Sequence, residues 1–542
     1  MPLEGNFSDT LSGGRNVKSF RGIIAAGDPQ TAQAGAAILK QGGNAVDAAV
    51  AAAFASFVAE TVLVNIGGGG VATVHRADTG EDVVYDFFCD MPSAPYREGQ
   101  SDFREIVIDF GSAQQPFYIG RASVAVPGVV AGLCALAAEH GTLPLPTLLQ
   151  PAIRLAREGA VLSESLAYVA SLLTPIFTDT PSAAALYAPG GTMVRAGDRL
   201  CNPRLAESLA RLAEEGADAF YRGSLAEAIV ADQRAHGGLL TAADLAGYRV
   251  RRLPPLRVPY RGYTLLLPPP SSVGGVLIAF TLKLLSVVDW AGASVVSVRR
   301  AQGMAEALRL TNVARKDLRL TPDGVAHFLS DAHLQPYRAR LEALLNGAAP
   351  PPPEPAFPGD PNHTTHISVI DRRGNVVSVT TSAGEGAGFL VGETGMGMNN
   401  MLGEIDLHPQ GFHRTPPGQR LQTMMSPAIV LRDGKPVLAL GSGGSTRLRS
   451  AIVQVLSNVL DFGLPLAEAV SMPRVHFEEG VLHLEGGTPS GVAAALERRG
   501  YRVNRWPGRN MYFGGVHCAG FVGGKWVAAG DERRGGFALR VR

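Results

Sequence analysis

The run His363-Thr364-Thr365-His366-Ile367-Ser368-Val369-Ile370-Asp371 follows directly on the stretch Pro350-Pro351-Pro352-Pro353-Glu354-Pro355, which continues through Phe357 to Pro361. Prolines at this density exclude a helix and predict an extended, exposed linker. Thr365 to Asp371 then alternates as a strand, Arg372 to Asn375 turns, and Val376 to Thr381 alternates back, so a β-hairpin begins at residue 364. Thr364 thus stands where an exposed connection enters a sheet. A threonine hydroxyl is a poor nucleophile without a base beside it. If the chain were cut before Thr364, the freed α-amine, with a pKa near ~7.7–8.0, would reach its own hydroxyl and act as that base. The same residues also read as the threonine-rich start of an ordinary strand.

Outward from this point the pattern is a mixture of hairpins and apolar helices. Downstream, Ala428 to Leu431 and Val437 to Leu440 read as strands, and Gly441-Ser442-Gly443-Gly444-Ser445-Thr446-Arg447 leads into a helix from Leu448 to Leu460. Upstream, Phe20 to Ala26 reads as a strand, and Asp28-Pro29 caps a helix that ends at Gly42-Gly43. A second helix is expected from Asn44 to Val62. Its alanine-rich window Ala48 to Ala59 is too short to span a bilayer and predicts a buried helix. Gly67 to Gly70 reads as a closely packed entry to a strand, with a ligand loop as the rival reading. A hairpin of Val71 to Arg76 and Val83 to Phe88 follows, then a helix-rich middle from Gly128 to Asp232. The 65 glycines and 37 prolines among 542 residues fit many tight turns, and there is no internal repeat.

The composition narrows the function classes. With 49 basic and 48 acidic residues the net charge is +1, which disfavours nucleic-acid binding by bulk charge. Cys89, Cys134, Cys201 and Cys518 are widely separated, so neither a zinc site nor a disulfide framework is indicated. The first residues lack the apolar core of a secretory signal and no segment is long enough to cross a membrane, so a cytoplasmic location is expected. His408 and His413 have no companion ligand spacing, and neither GxSxG nor HExxH occurs, so no metal or cofactor is expected. His366 could act as a general base, but a place within the strand favours a structural role.

Many short segments, in this order, resemble the γ-glutamyltranspeptidase family of N-terminal nucleophile hydrolases. They include Ile38 to Ala49, Asn65 to Gly70, Gly216 to Gly223, Leu240 to Tyr248, Tyr260 to Tyr263 and Pro268 to Ser272. In the second half they include Thr364-Thr365-His366, Asp371 to Asn375, Asn399-Asn400, Met425-Ser426-Pro427, Gly441 to Arg447, Pro473 to His476 and Gly530 to Arg534. The resemblance implies an α+β fold, the four-layer αββα sandwich. It also implies self-cleavage at the His363–Thr364 bond into a large subunit 1–363 and a small subunit 364–542, held together as a heterodimer around one core. Thr364 would attack a small-molecule amide, such as the γ-glutamyl donor glutathione, and the acyl-enzyme would be resolved by water or an amine. The position of a supporting hydroxyl falls on Ser382, which otherwise reads as a plain strand serine. The oxyanion amides fall on Gly444 and Ser445. A phosphate loop is disfavoured there because no lysine precedes the Ser/Thr, and a tight strand-to-helix turn would use the same glycines.

Several positions that hold the γ-glutamyl group in typical members are altered. The arginine of "Asp-Phe-Arg-Glu", which grips the α-carboxylate, is replaced in Asp86-Phe87-Phe88-Cys89 by Phe88. An asparagine two positions after Ser382 is Gly384. The stretch "Asn-Asn-Gln-Met-Asp-Asp" reads Asn399-Asn400-Met401-Leu402-Gly403-Glu404, which puts Met401 for glutamine and Glu404 for the amine-binding aspartate. A serine pair is Thr423-Met424, the second oxyanion glycine is Ser445, and the segment from Glu404 to Thr423 is short. Asn400, Glu404, Thr423 and Met424 are thereby the substrate-binding candidates. Three readings follow. In the first, the protein is a γ-glutamyl transferase or hydrolase, with Arg420 or Arg447 taking over the carboxylate. In the second, it is an amidohydrolase on a non-γ-glutamyl amide, similar to glutaryl (cephalosporin) acylases or oxamate amidohydrolases. In the third, it is an unprocessed, non-catalytic member.

Overall fold

The two strands expected after Thr364 lie in the middle of a seven-stranded sheet. The structure, a computed structural model, describes residues 20–109, 114–350, 364–408, 410–478 and 480–542. The proline-rich connection from residue 351 and His363 lie outside the described residues. In spatial order the first sheet consists of Phe537–Val541, Gly22–Ala26, Thr365–Asp371, Val376–Ser382, Gly69–His75, Asp82–Phe87 and Arg251–Leu253. Every neighbouring pair is antiparallel. A second, six-stranded antiparallel sheet runs Lys525–Ala529, Gly515–Val522, Lys435–Gly443, Ala428–Arg432, Tyr263–Leu267 and Leu256–Tyr260. The glycine run from 67 enters the strand Gly69–His75 directly, as a packed strand start.

The sheets stack face to face. Ile23, Ile370, Val376, Ile429, Ala439 and Phe521 fill the space between them, the arrangement expected of two antiparallel sheets each with an apolar inner face. Helices Pro29–Lys40, Ala45–Ala59, Val129–His140 and Leu145–Glu158 cover the outer face of the first sheet. Helices Val273–Leu285, Val298–Ala314, Asp331–Leu345 and Arg447–Leu460 cover that of the second. The layers therefore run α, β, β, α, as the resemblance implied.

Local chemistry accounts for the element ends. Asp28 accepts from the Gln30 N–H at 2.7 Å and Pro29 takes the first helical position. Asn44 and Asp47 form a reciprocal capping box for Ala45–Ala59. All fifteen residues of that helix are buried, because small alanines let it sink between sheet and neighbouring helices. It ends at Glu60, earlier than the Val62 expected from the apolar run.

Asp28 and Glu60 are both buried at the helix-covered edge of the first sheet, where Glu60 Oε1 accepts from Thr31 Oγ1 at 2.7 Å. Burial raises the Asp28 carboxyl to about 6. Burial, and after it the Asp28 charge, raise Glu60 to about 8. The folded chain thus keeps protons that the unfolded chain releases above its ordinary carboxylate range. This stability is fully present at acid pH and is lost as pH rises through about 8. Glu60→Gln is expected to melt progressively higher relative to the wild type as pH is raised from about 5 to about 8.5. A melting-temperature difference that stays constant across that range counts against the proton assignment.

Candidate active site

Strand periodicity fixes the direction of the Thr364 side chain. Ile367 and Val369 face the helical layer, while Ile370 belongs to the core between the sheets. Thr364, His366 and Ser368 therefore project toward the second sheet. Thr365 pairs with Thr381, which sets Ser382 beside Thr364 on the same face. Thr364 is only 5% exposed. Ser382 Oγ accepts from the Gly384 N–H at 3.0 Å, which orients that hydroxyl at the head of the loop.

The layer beneath is polar and fully used. His366 Nδ1 meets Thr380 Oγ1 at 2.8 Å and its Nε2 meets Ser368 Oγ at 2.9 Å. Burial, with the nearby His517, drives the His366 imidazole well below its usual range, so the ring is neutral. Both nitrogens being engaged, His366 serves as a strut rather than a base. The second sheet closes from the other side: a Cβ at Gly443 would lie 2.2 Å from the Thr364 carbonyl oxygen, so only glycine permits this approach.

Gly443 ends its strand, and the helix Arg447–Leu460 starts after a sharp turn. Gly444 has φ +122° and Ser445 φ +51°, left-handed values that reverse the chain in two residues. Among the described residues the Gly444 and Ser445 amides donate to no protein acceptor. They lie at the positive end of a helix, beside Thr364, where an oxyanion can be received. The sequence offered no role for Thr446, Glu478 or Tyr512 around this turn. Thr446 Oγ1 donates to Glu478 Oε1 at 3.2 Å, Tyr512 Oη to Glu478 Oε2 at 3.1 Å, and the Arg447 guanidinium stacks on the Tyr512 ring at 4.8 Å. Burial pushes the Glu478 carboxyl up, but His476, Arg447 and Tyr512 outweigh it and hold it well below the carboxylate range. Arg534, from the Gly530 to Arg534 segment, lays a buried guanidinium beside Gly444. Its pKa is lowered to about 10, chiefly by burial and then by Arg447.

Along the end of the first sheet, Thr364, Ser382, Gly69 and Phe88 form a row through successive strands. Three strand spacings separate Thr364 from Phe88, roughly 14 Å between backbones. Gly69 is packed in the middle of the row, where a Cβ would strike Cys89 Sγ at 2.9 Å. At the far end Phe88, 1% exposed, packs with Met401, Leu402, Leu421 and Met425.

The other substrate candidates divide. Asn400 and Glu404 flank Gly384, where a side chain would collide with Asn400 Oδ1 and Glu404 Oε1. This is why the asparagine of typical members has no room here. Asn400 Oδ1 accepts from the Glu385 N–H at 2.9 Å, and Glu404 is completely buried. Thr423 is tied by its N–H to the Ser271 carbonyl and by Oγ1 to the Met425 N–H. Met424 lies apart, in the core between the second sheet and its helices, and its neighbour Met425 joins Phe88 instead. Arg420 is likewise committed: it binds Asp90 Oδ1 at 2.6 Å, Asp86 Oδ1 at 2.7 Å and the Arg249 carbonyl at 2.8 Å. It locks the Phe88 segment in place and has no free edge for a substrate carboxylate. Arg447 is the one of the two arginines that borders the oxyanion turn.

Among the described residues no group of His, Cys, Asp and Glu is placed to hold a metal ion. His408 Nε2 contacts the Met401 carbonyl and His413 Nε2 that of Ala122. All four cysteines are free, and among the described residues no helix is long and apolar enough to cross a membrane.

Comparison with known proteins shows the family and the fold. A family model described as gamma-glutamyltranspeptidase matches residues 31–541. The chain is 37% identical over 521 residues to an "Acylase ACY 1 proenzyme" of Pseudomonas sp. (strain SE83), covering 92% of this chain and 90% of that protein. It is 32% identical over 510 residues to the "Glutathione hydrolase proenzyme" of Escherichia coli (strain K12), covering 90% and 86%. The crystal structure of cephalosporin acylase from Bacillus halodurans superposes with a TM-score of 0.83 at 27% identity, covering 96% of each chain.

The contact of Gly443 with Thr364 is directly testable. Gly443→Ala is expected to cost ~1–3 kcal/mol through forced backbone displacement and to remove most activity. Gly247→Ala, where an added Cβ meets nothing within 4 Å, is the control. Equal melting temperatures for the two variants would show that the approach is not as tight as described.

Proposed function

The chain belongs to the gamma-glutamyltranspeptidase family, and we propose that within it the protein is a self-processing N-terminal threonine acylase for amides whose acyl part lacks the α-amino acid head. Cleavage at His363–Thr364 would free the α-amine of Thr364. The pieces 1–363 and 364–542 would stay together as a heterodimer, because the strand Gly22–Ala26 is paired on both sides by strands of the second piece. The proenzyme names of the relatives support this processing.

In the reaction, Thr364 Oγ attacks the amide carbonyl carbon while its proton passes to the α-amine. The carbonyl π pair becomes an oxyanion that the Gly444 and Ser445 amides receive. Collapse restores the carbonyl, breaks the C–N bond, and returns the proton to the leaving amine. Water or an acceptor amine repeats the sequence and releases the acyl group. Ser382, one strand over, supports the nucleophile.

The observation that carries the choice of acyl group is the apolar end of the row. Phe88, Met401 and Met425 pack together where typical members hold a carboxylate, and Arg420 is fully engaged with Asp86 and Asp90. Losing a charged hydrogen-bonded contact costs about 1.5–3 kcal/mol, or roughly ten- to a hundredfold in discrimination. The cephalosporin acylase likeness points the same way. One observation favours a γ-glutamyl donor: Glu404 stands beside Gly384, where a carboxylate would meet an α-amine.

Mass spectrometry should show two pieces divided before Thr364 and an uncut chain for Thr364→Ala. A wild-type chain that stays whole at 56.8 kDa would mean a non-catalytic member. On processed enzyme, pentanoyl-, glutaryl- and γ-glutamyl-p-nitroanilide share a five-carbon acyl chain and differ only in its head. The expected kcat/KM for pentanoyl, which lacks the head carboxylate, exceeds that for γ-glutamyl at least tenfold, with glutaryl, which keeps the carboxylate, below pentanoyl, and a tenfold preference for γ-glutamyl would reverse the assignment. Phe88→Arg with Met401→Gln should move the ratio toward γ-glutamyl.

A further inference from the structure

Ser445 is a non-glycine residue in a glycine conformation. Its φ of +51° places it in the left-handed region, which is strained for a residue that bears a side chain. Typical members of the family have glycine here, which needs no support. In this chain the serine hydroxyl donates to Asp406 Oδ2 at 3.1 Å. Asp406 lies in the short turn Ile405–Leu407, immediately after Glu404. Arg315, at the end of the helix Val298–Ala314, is within electrostatic reach of the same carboxylate. Asp406 thus joins three parts of the site: the oxyanion turn, the abbreviated segment leading to Thr423, and the portion of the chain before residue 364.

We propose that Asp406 is a positioning residue for acyl transfer, holding the Ser445 peptide in its left-handed conformation through the Ser445 hydroxyl. The inference rests on the reading that the Gly444 and Ser445 amides receive the oxyanion. In a glycine-bearing turn the backbone prefers the conformation by itself. Here the preference is supplied by a side-chain bond from a neighbouring loop. An unanchored serine or alanine would relax toward negative φ and rotate its amide away from the developing charge. The substrate ground state makes little use of that amide, so the defect belongs to the transition state.

The test is a mutant cycle on processed enzyme, assayed with whichever of pentanoyl-, glutaryl- or γ-glutamyl-p-nitroanilide the wild type turns over fastest. Asp406→Ala and Ser445→Ala should each lower kcat about ten- to a hundredfold, below the ~10²–10³ of a fully removed donor, with KM changed less than threefold. Asp406→Asn, whose amide oxygen still accepts, should recover most of kcat. Ser445→Gly should lose little, and adding Asp406→Ala to it should cost less than threefold. Wild-type kcat in Asp406→Ala, or the same loss from it in the serine and glycine backgrounds, would overturn the assignment while leaving the oxyanion reading intact. A wild type that forms no acyl adduct on the peptide beginning at Thr364 would overturn both. If Asp406→Ala fails to fold, the Asp406→Asn recovery and the glycine-background comparison are made with Asp406→Ser.

Discussion

The strand Thr365–Asp371 is hydrogen-bonded on one side to Gly22–Ala26 and on the other to Val376–Ser382, and the positions of Thr364 and Ser382 follow from that double pairing. A strand held along both edges cannot shift register without turning its buried face outward. The residue just ahead of it is accordingly placed to within a bond rotation. Ser382 is placed by the same ladder, since the antiparallel partner that fixes Thr365 at Thr381 brings the next residue alongside Thr364. The proposed nucleophile and its neighbouring hydroxyl are thus positioned by a sheet, which suits a site whose atoms must be held to fractions of an ångström.

The oxyanion turn needs a different anchor, because it belongs to the second sheet. Gly443 pairs with Gly515, and the next amide, that of Val516, donates to Asp531 Oδ2 at 3.0 Å. Asp531 is buried between Arg474 and Arg533, and Arg533 in turn binds Glu485. Burial alone would raise the Asp531 carboxyl, but the two guanidinium groups more than compensate and hold it below its ordinary value. Paired charges of this kind add little to net stability against an apolar core. They do restrict the backbone they touch to one arrangement, here the strand against which the oxyanion turn is built. The groups that fix Gly443 at Thr364 are therefore ionic on one sheet and strand-paired on the other.

This division explains how much was legible in the sequence. The hairpin from Thr365, the buried helix Ala45–Ala59 and the turn at Gly441 to Arg447 announce themselves because period, capping residues and glycine positions are local properties. The apolar end of the acyl row was visible only in part. Phe88 and Met401 could each be noted as replacements, but that they touch, and that Met425 rather than Met424 completes the cluster, depends on which side of a bend each methionine turns. Arg420 illustrates the same limit more sharply. As a residue type it qualifies as a carboxylate ligand, and only the placement of Asp86 and Asp90 around it consumes its donors. Glu478 and Tyr512 carry no local signature at all, because they gain meaning only when a separate three-stranded sheet and a short turn meet the start of the helix at Arg447.

Chemistry and specificity consequently reside on different kinds of structure. Ser382 and Gly443 are strand positions and Thr364 stands directly ahead of one, where the two sheets meet. Met401, Glu404, Asp406 and Thr423 lie in or at the ends of short turns joined by irregular chain, where a side chain can be exchanged against its immediate neighbours. A substitution at Phe88 is intermediate: it directly follows the strand Asp82–Phe87, yet it packs with Met401, Leu402, Leu421 and Met425. An apolar side chain can replace a charged one there only if the groups that faced the charge change as well, since an unpaired buried charge is far costlier than either matched state. The joint presence of Phe88, Met401 and Met425, with Arg420 satisfied by two aspartates rather than left facing the cleft, is such a matched state. It argues that the far end of the proposed acyl site was rebuilt as one unit.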